Sequence, residues 1–196
     1  MPKIVDPEER RTAIIHAAYR VIARAGFDGA TLRSIAEEAG YTTGVIGHYF
    51  HNKEHVLEAS LHRSVDDAFK RIAEATDSKH GLAAVRAAVA QILPDDPQLA
   101  IEWAVWLSFW GRSIGSDTLI KEHRARYKEW HGVLSKFFGQ AVDLGELRSD
   151  LEPDDCADLL VSSLYGIGVQ TVVNGMRPKK QRLMVDLLLT SFTAGQ

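Results

Sequence analysis

Two groups of residues in this chain have types and spacings suited to chemistry, and they call for different chemistry. Trp103, Trp106 and Trp110 stand at i, i+3 and i+7, which sets three indoles along one face of a helix. Phe109 lies in the same run, and Tyr127 and Trp130 fall on a comparable stripe with Leu134 and Phe137. Aromatic faces attract quaternary ammonium groups by roughly 0.5 to 2 kcal/mol per contact, and a cage multiplies the contacts. Glu102 adds a carboxylate beside them. The same spacing also serves a plain apolar core. Four indoles, each needing a partner for its N–H when buried, are a costly way to fill space that leucine fills, and this favours a small-molecule pocket. His123, Arg126 and His131 are candidate polar groups for it. The second group is Thr42, Thr43, Gly44, Val45, His48 and Tyr49. Threonine, histidine and tyrosine donate and accept hydrogen bonds, and a valine methyl fits against the methyl of thymine, so this set suits a nucleic-acid surface.

The elements that must position this second set are legible around it. Thr31 caps a helix whose apolar positions Leu32, Ile35, Ala36 and Ala39 recur at helical spacing, and Gly40 supplies the left-handed residue that ends it. Thr42 caps a second, short helix with Val45, Ile46 and Tyr49 inward and Thr43, Gly44, Gly47 and His48 nearer the surface. So small a helix buries too little to exist for its own packing, which points to presentation. This is a helix-turn-helix pattern, whose second helix enters the DNA major groove. Asn52 caps a long helix from Lys53 to about Ala75, whose first N–H groups and Lys53 suit a phosphate. Thr43, Gly44 and Val45 are expected against bases; Thr31, Arg33, Thr42, His48, Tyr49 and Lys53 are expected on the sugar-phosphate backbone.

The string Thr42, Gly44, His48-Tyr49-Phe50 and Asn52-Lys53 resembles the TetR/AcrR family of bacterial regulators over roughly residues 8 to 57. It departs from the family at Thr43, where a basic residue is common, and at Gly47, where an aromatic is common. The run Trp106-Leu107-Ser108-Phe109-Trp110 resembles the ligand domain of the BetI-type, choline-responsive branch. These resemblances imply an all-α fold, with a three-helix DNA-binding domain over 1–52 and a ligand-binding and dimerisation domain over 53–196. In that arrangement helix 53–76 is the connector that transmits ligand state, and the last two helices pair with their copies in a homodimer. The implied partners are a double-stranded DNA operator and a small-molecule effector, choline or a related cation. The implied role is a ligand-responsive regulator, a repressor released from a near-palindromic operator.

Composition sets the bounds. With 196 residues, 45% hydrophobic and 25% charged, the chain has the make-up of a globular protein with a substantial core. Helices are expected over about 7–25, 81–93, 97–114, 117–143, 154–174 and 179–193, punctuated by Pro94, Pro97, Gly115, Gly145, Pro153, Gly175 and Pro178. Leu159, Leu160, Leu164, Ile167 and Val172, followed by Leu183, Val185, Leu187, Leu188 and Leu189, put apolar residues on more than one face of the last two helices. No uninterrupted apolar run reaches membrane-spanning length and no signal peptide is evident, so the expected location is the cytoplasm, with no membrane partner. Cys156 stands alone among acids, which removes an intrachain disulfide and a multi-cysteine metal site. His48, His51 and His55 are spaced for zinc, but the helix break at Asn52 splits them and nothing completes the set, which leaves a DNA-facing or solvated cluster. No cofactor and no catalytic motif is found, so an enzyme using the aromatic pocket is the weaker reading. The net charge of −3 does not advertise DNA binding. In residues 1–55, Lys3, Arg10, Arg11, Arg20, Arg24, Arg33 and Lys53 are matched by Asp6, Glu8, Glu9, Asp28, Glu37, Glu38 and Glu54. The DNA case therefore rests on geometry, and a helical binding module without DNA contact stays open beside it.

Overall fold

The computed structural model describes residues 6–193, which form nine α-helices and, among them, no β-strand beyond an isolated antiparallel bridge between Leu147 and Thr193. The all-α expectation holds. In chain order the helices are α1 (Pro7–Gly29), α2 (Leu32–Ala39), α3 (Thr43–Tyr49), α4 (Lys53–Thr76), α5 (Gly81–Ala90), α6 (Pro97–Ser113), α7 (Asp117–Asp143), α8 (Pro153–Asn174) and α9 (Pro178–Phe192). Prolines open α1, α6, α8 and α9, where the missing N–H is one the helix leaves unpaired anyway. Asp6 and Asp96 each accept a backbone N–H of the turn that follows. Gly26, expected to end α1, instead kinks it: its φ of 69° leaves the helical region and the chain resumes for a final turn to Gly29. α5 is shorter than expected because residues 91–93 turn back, Gln91 and Ile92 donating to Ala88 and Val89.

Two compact units form. The first contains the described residues through Asp67 together with Ile101–Gly111; the second contains Ala68–Ala100 and the chain from Arg112 onward. The core of the first is built by Ile14, Ile15, Ala18 and Ile22 of α1, Ile35 and Ala36 of α2, Ile46 of α3, and Val56 and Leu57 of α4. Val105 of α6 is buried in this same core and Ile101 packs on it, so a piece of α6 belongs to the body formed by α1 to α4. The buried side of α4 is not purely apolar. Val65 and Phe69 are half-buried, while Ser60 and Ser64 are fully buried, each hydroxyl donating to a carbonyl of its own helix, at Val56 and Leu61.

In the second unit α7 packs against α5 and α8, and α8 against α9. Leu134, Phe138, Leu160, Leu164 and Leu189 are sealed at its centre, and Phe138 meets Phe192 edge-on at 5.7 Å. The start of α5 is fixed by a distant carboxylate: Glu146 accepts the N–H of Leu82 at 2.7 Å. Gly81 stands there at φ 57°, and a Cβ on it would lie 2.2 Å from the same carboxylate, so any other residue would take up left-handed strain and displace Glu146 from the helix start. α8 is long and apolar enough, by length and composition, to cross a membrane. Its composition follows from two apolar sides: Leu160, Leu164 and Ile167 are buried, whereas Leu159, Val169, Val172 and Val173 are exposed, as are Leu183 and Leu187 of α9. Cys156 is buried, and burial together with Asp155 pushes its thiol up from its ordinary pKa, the opposite of a reactive cysteine.

Candidate functional site

The turn between α2 and α3 is built almost wholly from caps. Thr31 Oγ1 accepts the N–H of Ser34 at 3.0 Å and Ser34 Oγ accepts that of Thr31 at 3.0 Å, a reciprocal capping box. Gly40 ends α2 at φ 71°, and Thr42 Oγ1 accepts the N–H of Val45 to begin α3. α2 is held on α1 from outside, where Arg20 and Arg24 both reach Glu38 at 2.6 Å and hold its carboxyl below the usual range. α3 buries Ile46, half-buries Val45 and Tyr49, and exposes Thr43, Gly44, Gly47 and His48. A Cβ on Gly47 would meet nothing within 4 Å and one on Gly44 only Thr42 Oγ1 at 3.7 Å, so packing does not require either glycine.

The residues expected on the sugar-phosphate backbone are placed unevenly. Thr31, Thr42 and His48 are exposed. Arg33 is exposed and pairs with Glu37 one turn on, at 2.9 Å. Lys53 turns inward: its ammonium donates to the carbonyls of Phe27 and Asp28, each at 3.3 Å, and lies 5.3 Å from the centre of the Phe27 ring. Asn52 caps α4 as expected, accepting the N–H of His55 at 2.8 Å. Among the described residues no three His, Cys, Asp or Glu come together to hold a metal ion.

The aromatic residues of α6 do converge. Trp103 meets Trp106 at 5.3 Å and Trp110 at 5.8 Å, with the rings steeply inclined in both pairs, the second nearly perpendicular. Trp103, Trp106 and Phe109 are buried and Trp110 is half-buried; Glu102 is buried at 3% exposure. The Trp106 indole N–H finds its partner on α4, donating to Ser64 Oγ at 2.9 Å. Tyr19 of α1 is buried close by. Burial, reinforced by Asp67 and Glu102, raises its phenol above the ordinary range, and it interacts with Ser64 without closing a hydrogen bond of normal geometry. This polar group of Tyr19, Ser64, Trp106 and Glu102 is absent from the sequence reading. Its signal was present as two serines at core spacing on α4. Tyr127 and Trp130 are on α7, in the second unit. Trp130 is buried, whereas the Tyr127 hydroxyl donates to Asp158 at 2.5 Å, its ring stacked on His131, which also reaches Asp158.

Residues 14–60 match the model of bacterial regulatory proteins of the tetR family, and residues 81–194, more than half the chain, match the BetI-type transcriptional repressor C-terminal domain. The chain belongs to the TetR family. Over 152 residues it is 34% identical to the HTH-type transcriptional regulator BetI of Burkholderia mallei, covering 76% of this chain and 77% of that one. The BetI regulator of Burkholderia cenocepacia is 33% identical over 153 residues, with the same coverage. Among solved structures, a transcriptional regulator from Saccharomonospora viridis in complex with choline superposes at TM-score 0.87, with 24% identity, over 96% of this chain and all of that one. A TetR-family regulator from Agrobacterium tumefaciens superposes at 0.83 with 17% identity and the same coverage. This TetR-family protein is thus a transcriptional regulator, a non-enzymatic class, and its α2-turn-α3 segment is the family's helix-turn-helix. The enzyme reading and the module without DNA binding give way to it.

Proposed function

We propose that this regulator is a homodimeric repressor that leaves a near-palindromic operator when a small quaternary ammonium compound, choline or a close relative, binds at the α6 aromatic cluster. One observation carries the effector reading: Trp103 meets both Trp106 and Trp110 with inclined rings, and the residue before it on α6, Glu102, is a buried acid. That is the chemistry a cation without N–H groups requires, since it can be recognised only by charge and by aromatic faces. The choline bound by the Saccharomonospora viridis regulator supports the same class of ligand. Phe109 completes the aromatic set on α6.

On the DNA side, Thr43, Gly44 and Val45 read bases, the glycines letting the backbone of α3 come close. Thr31, Arg33, Thr42, His48 and Tyr49 position α3 on phosphates, and Lys53 joins them by releasing the Phe27 and Asp28 carbonyls. The two recognition helices enter successive major grooves about 34 to 36 Å apart. The dimer is made by α8 and α9, whose exposed Leu159, Val172, Leu183 and Leu187 are apolar surface that pairing covers. Acting on chromosomal DNA, the regulator works in the cytoplasm. An effector that prefers the spacing unsuited to the operator lowers DNA affinity by the ratio of its affinities for the two states.

The test is a choline titration read in two ways at once. Indole fluorescence reports binding, and the anisotropy of a labelled duplex selected by the regulator from a random pool reports release. The second readout is needed because Trp103, Trp106 and Trp110 share a compact unit with the DNA-reading helices and respond to DNA as well. A saturable fluorescence change accompanied by release is expected. Saturable binding with the duplex still held would overturn the coupling. No binding would remove choline and leave the regulator assignment standing.

A further inference from the structure

Resting on the reading that α3 carries the chain onto DNA, a further phosphate contact can be placed from the charges around it. Several cations of this unit have partners within the free protein, which a duplex must displace before they serve it: Lys53 on the end of α1, Arg33 on Glu37, and Arg20 and Arg24 on Glu38. Besides His48 in the last turn of α3, two imidazoles stand where the chain leaves it. His51 is exposed and stacks on His55, ring centres 5.6 Å apart and planes inclined by 23°. His55 is half-buried and meets Phe50 edge-on at 5.4 Å, so the pair is held against the rigid core residue that ends α3.

We propose that His51 and His55 together hold a DNA phosphate beside the recognition helix and take up a proton as they do so, which makes operator affinity rise as pH falls. A phosphate oxygen favours the charged form of an imidazole and turns a neutral hydrogen bond into a charge-assisted one. Two like charges on rings this close repel, so the pair answers the phosphate with one proton, and the phosphate supplies the counter-charge. The surrounding groups permit this. His55 opens on a cleft of about 350 Å³ with Arg11 of α1 and Glu58, His62, Arg63 and Asp66 of α4. Arg63 is paired with Asp67 and Arg11 with Glu8, so each arginine carries its own carboxylate, and the carboxylates of Glu58 and Asp66 line the same cleft. Glu54 is exposed on the first turn of α4 and Lys53 is turned away. Uptake of one proton makes affinity rise by at most about tenfold per pH unit, and only between the midpoints of the free and the bound imidazoles. The device supplies, on demand, the positive charge that the balanced composition of residues 1–55 lacks.

The experiment uses the full-length regulator and a labelled duplex that it has selected from a random pool, with anisotropy recorded from about pH 6 to about pH 8 at constant ionic strength. The wild-type protein is expected to bind about tenfold more tightly at the acid end, and the His51→Gln/His55→Gln protein to lose that dependence while keeping its affinity at the alkaline end. His51→Gln alone, at an exposed position, covers the case in which the double variant is unstable, and it too is expected to flatten the profile. NMR titration of the imidazole C2–H signals with and without the duplex gives a second readout, with the midpoints moving up on binding. A pH-independent wild type, unmoved midpoints, or a double variant with an undiminished pH dependence overturns the proposal alone. Failure to select any duplex at any pH overturns the reading of α3 as well.

Discussion

α3 buries Ile46 alone, whereas the stretch of α6 in the same compact unit buries Glu102, Trp103, Val105, Trp106 and Phe109. The first stretch is rich in glycine and threonine, poor helix formers held in shape by a cap at Thr42 and one anchor. The second is rich in tryptophan and is held by what surrounds it. Residues exposed on α3 are free to serve DNA because the fold asks nothing of them. The aromatic residues on α6 are held by packing, so if they also hold the proposed effector, a change in one disturbs the other.

The sharpest way to break the comparison is Trp103→Ala. Trp103 is 1% exposed and touches both other indoles of the cluster, so the variant is expected to lose about 3 to 5 kcal/mol of stability in urea denaturation. A loss below about 1 kcal/mol would show that the cluster is an open site rather than core. Trp106→Phe is milder. It keeps most of the ring and removes the indole N–H that reaches buried Ser64, with an expected cost of about 1 to 2 kcal/mol and an altered choline response. Unchanged stability with an altered response would make Trp106 a ligand residue alone.

Gly47→Ala tests the other side. A Cβ there meets nothing, and alanine favours a helix over glycine, so the variant is expected to melt higher by about 0.5 to 1 kcal/mol of stability while binding its duplex more weakly. Higher stability with undiminished DNA affinity would show that the open surface of α3 is not where the duplex lies.

The same contrast explains what the sequence made legible. α2, the turn and α3 are written in local signals: Thr31, Gly40 and Thr42 act within four residues of themselves, and the structure shows each cap in place. The packing of Val105 of α6 into the core of α1 to α4 is a tertiary event with no local signature, and sequence reading assigned that segment wholly to ligand binding. The inward turn of Lys53 was equally hidden, because carbonyls at the end of α1, 25 and 26 residues away, compete for an ammonium that local sequence offers to phosphate. Serine at core spacing was the signal most easily misread. Ser60 and Ser64 look like breaks in an apolar stripe, yet each satisfies its hydroxyl on its own helix, and Ser64 has an acceptor lone pair left for Trp106.

The smallest expected effect is the most informative about how α2 is positioned. Glu38 is held on Arg20 and Arg24, and these hydrogen bonds depress its folded pKa below the ordinary value of about 4.3. A depressed carboxylate contributes stability that is fully present above its unfolded pKa and is lost as pH falls through the folded one. The contribution is therefore intact near neutrality and disappears in the acid limb, below about pH 4. Both arginines are largely exposed, so solvent screening limits the effect to at most about 1 kcal/mol. Glu38→Gln is expected to lower stability by that amount at pH 7 and to narrow the gap to wild type as the solution is acidified, read by denaturation at a series of pH values. A gap that stayed constant into acid would mean that α2 is placed by Ile35 and Ala36 in the core, and that the external clamp is ornament. A gap that closes would mean that the helix supporting the DNA-reading surface is set partly by charge, from the solvent side, as the aromatic stretch of α6 is not.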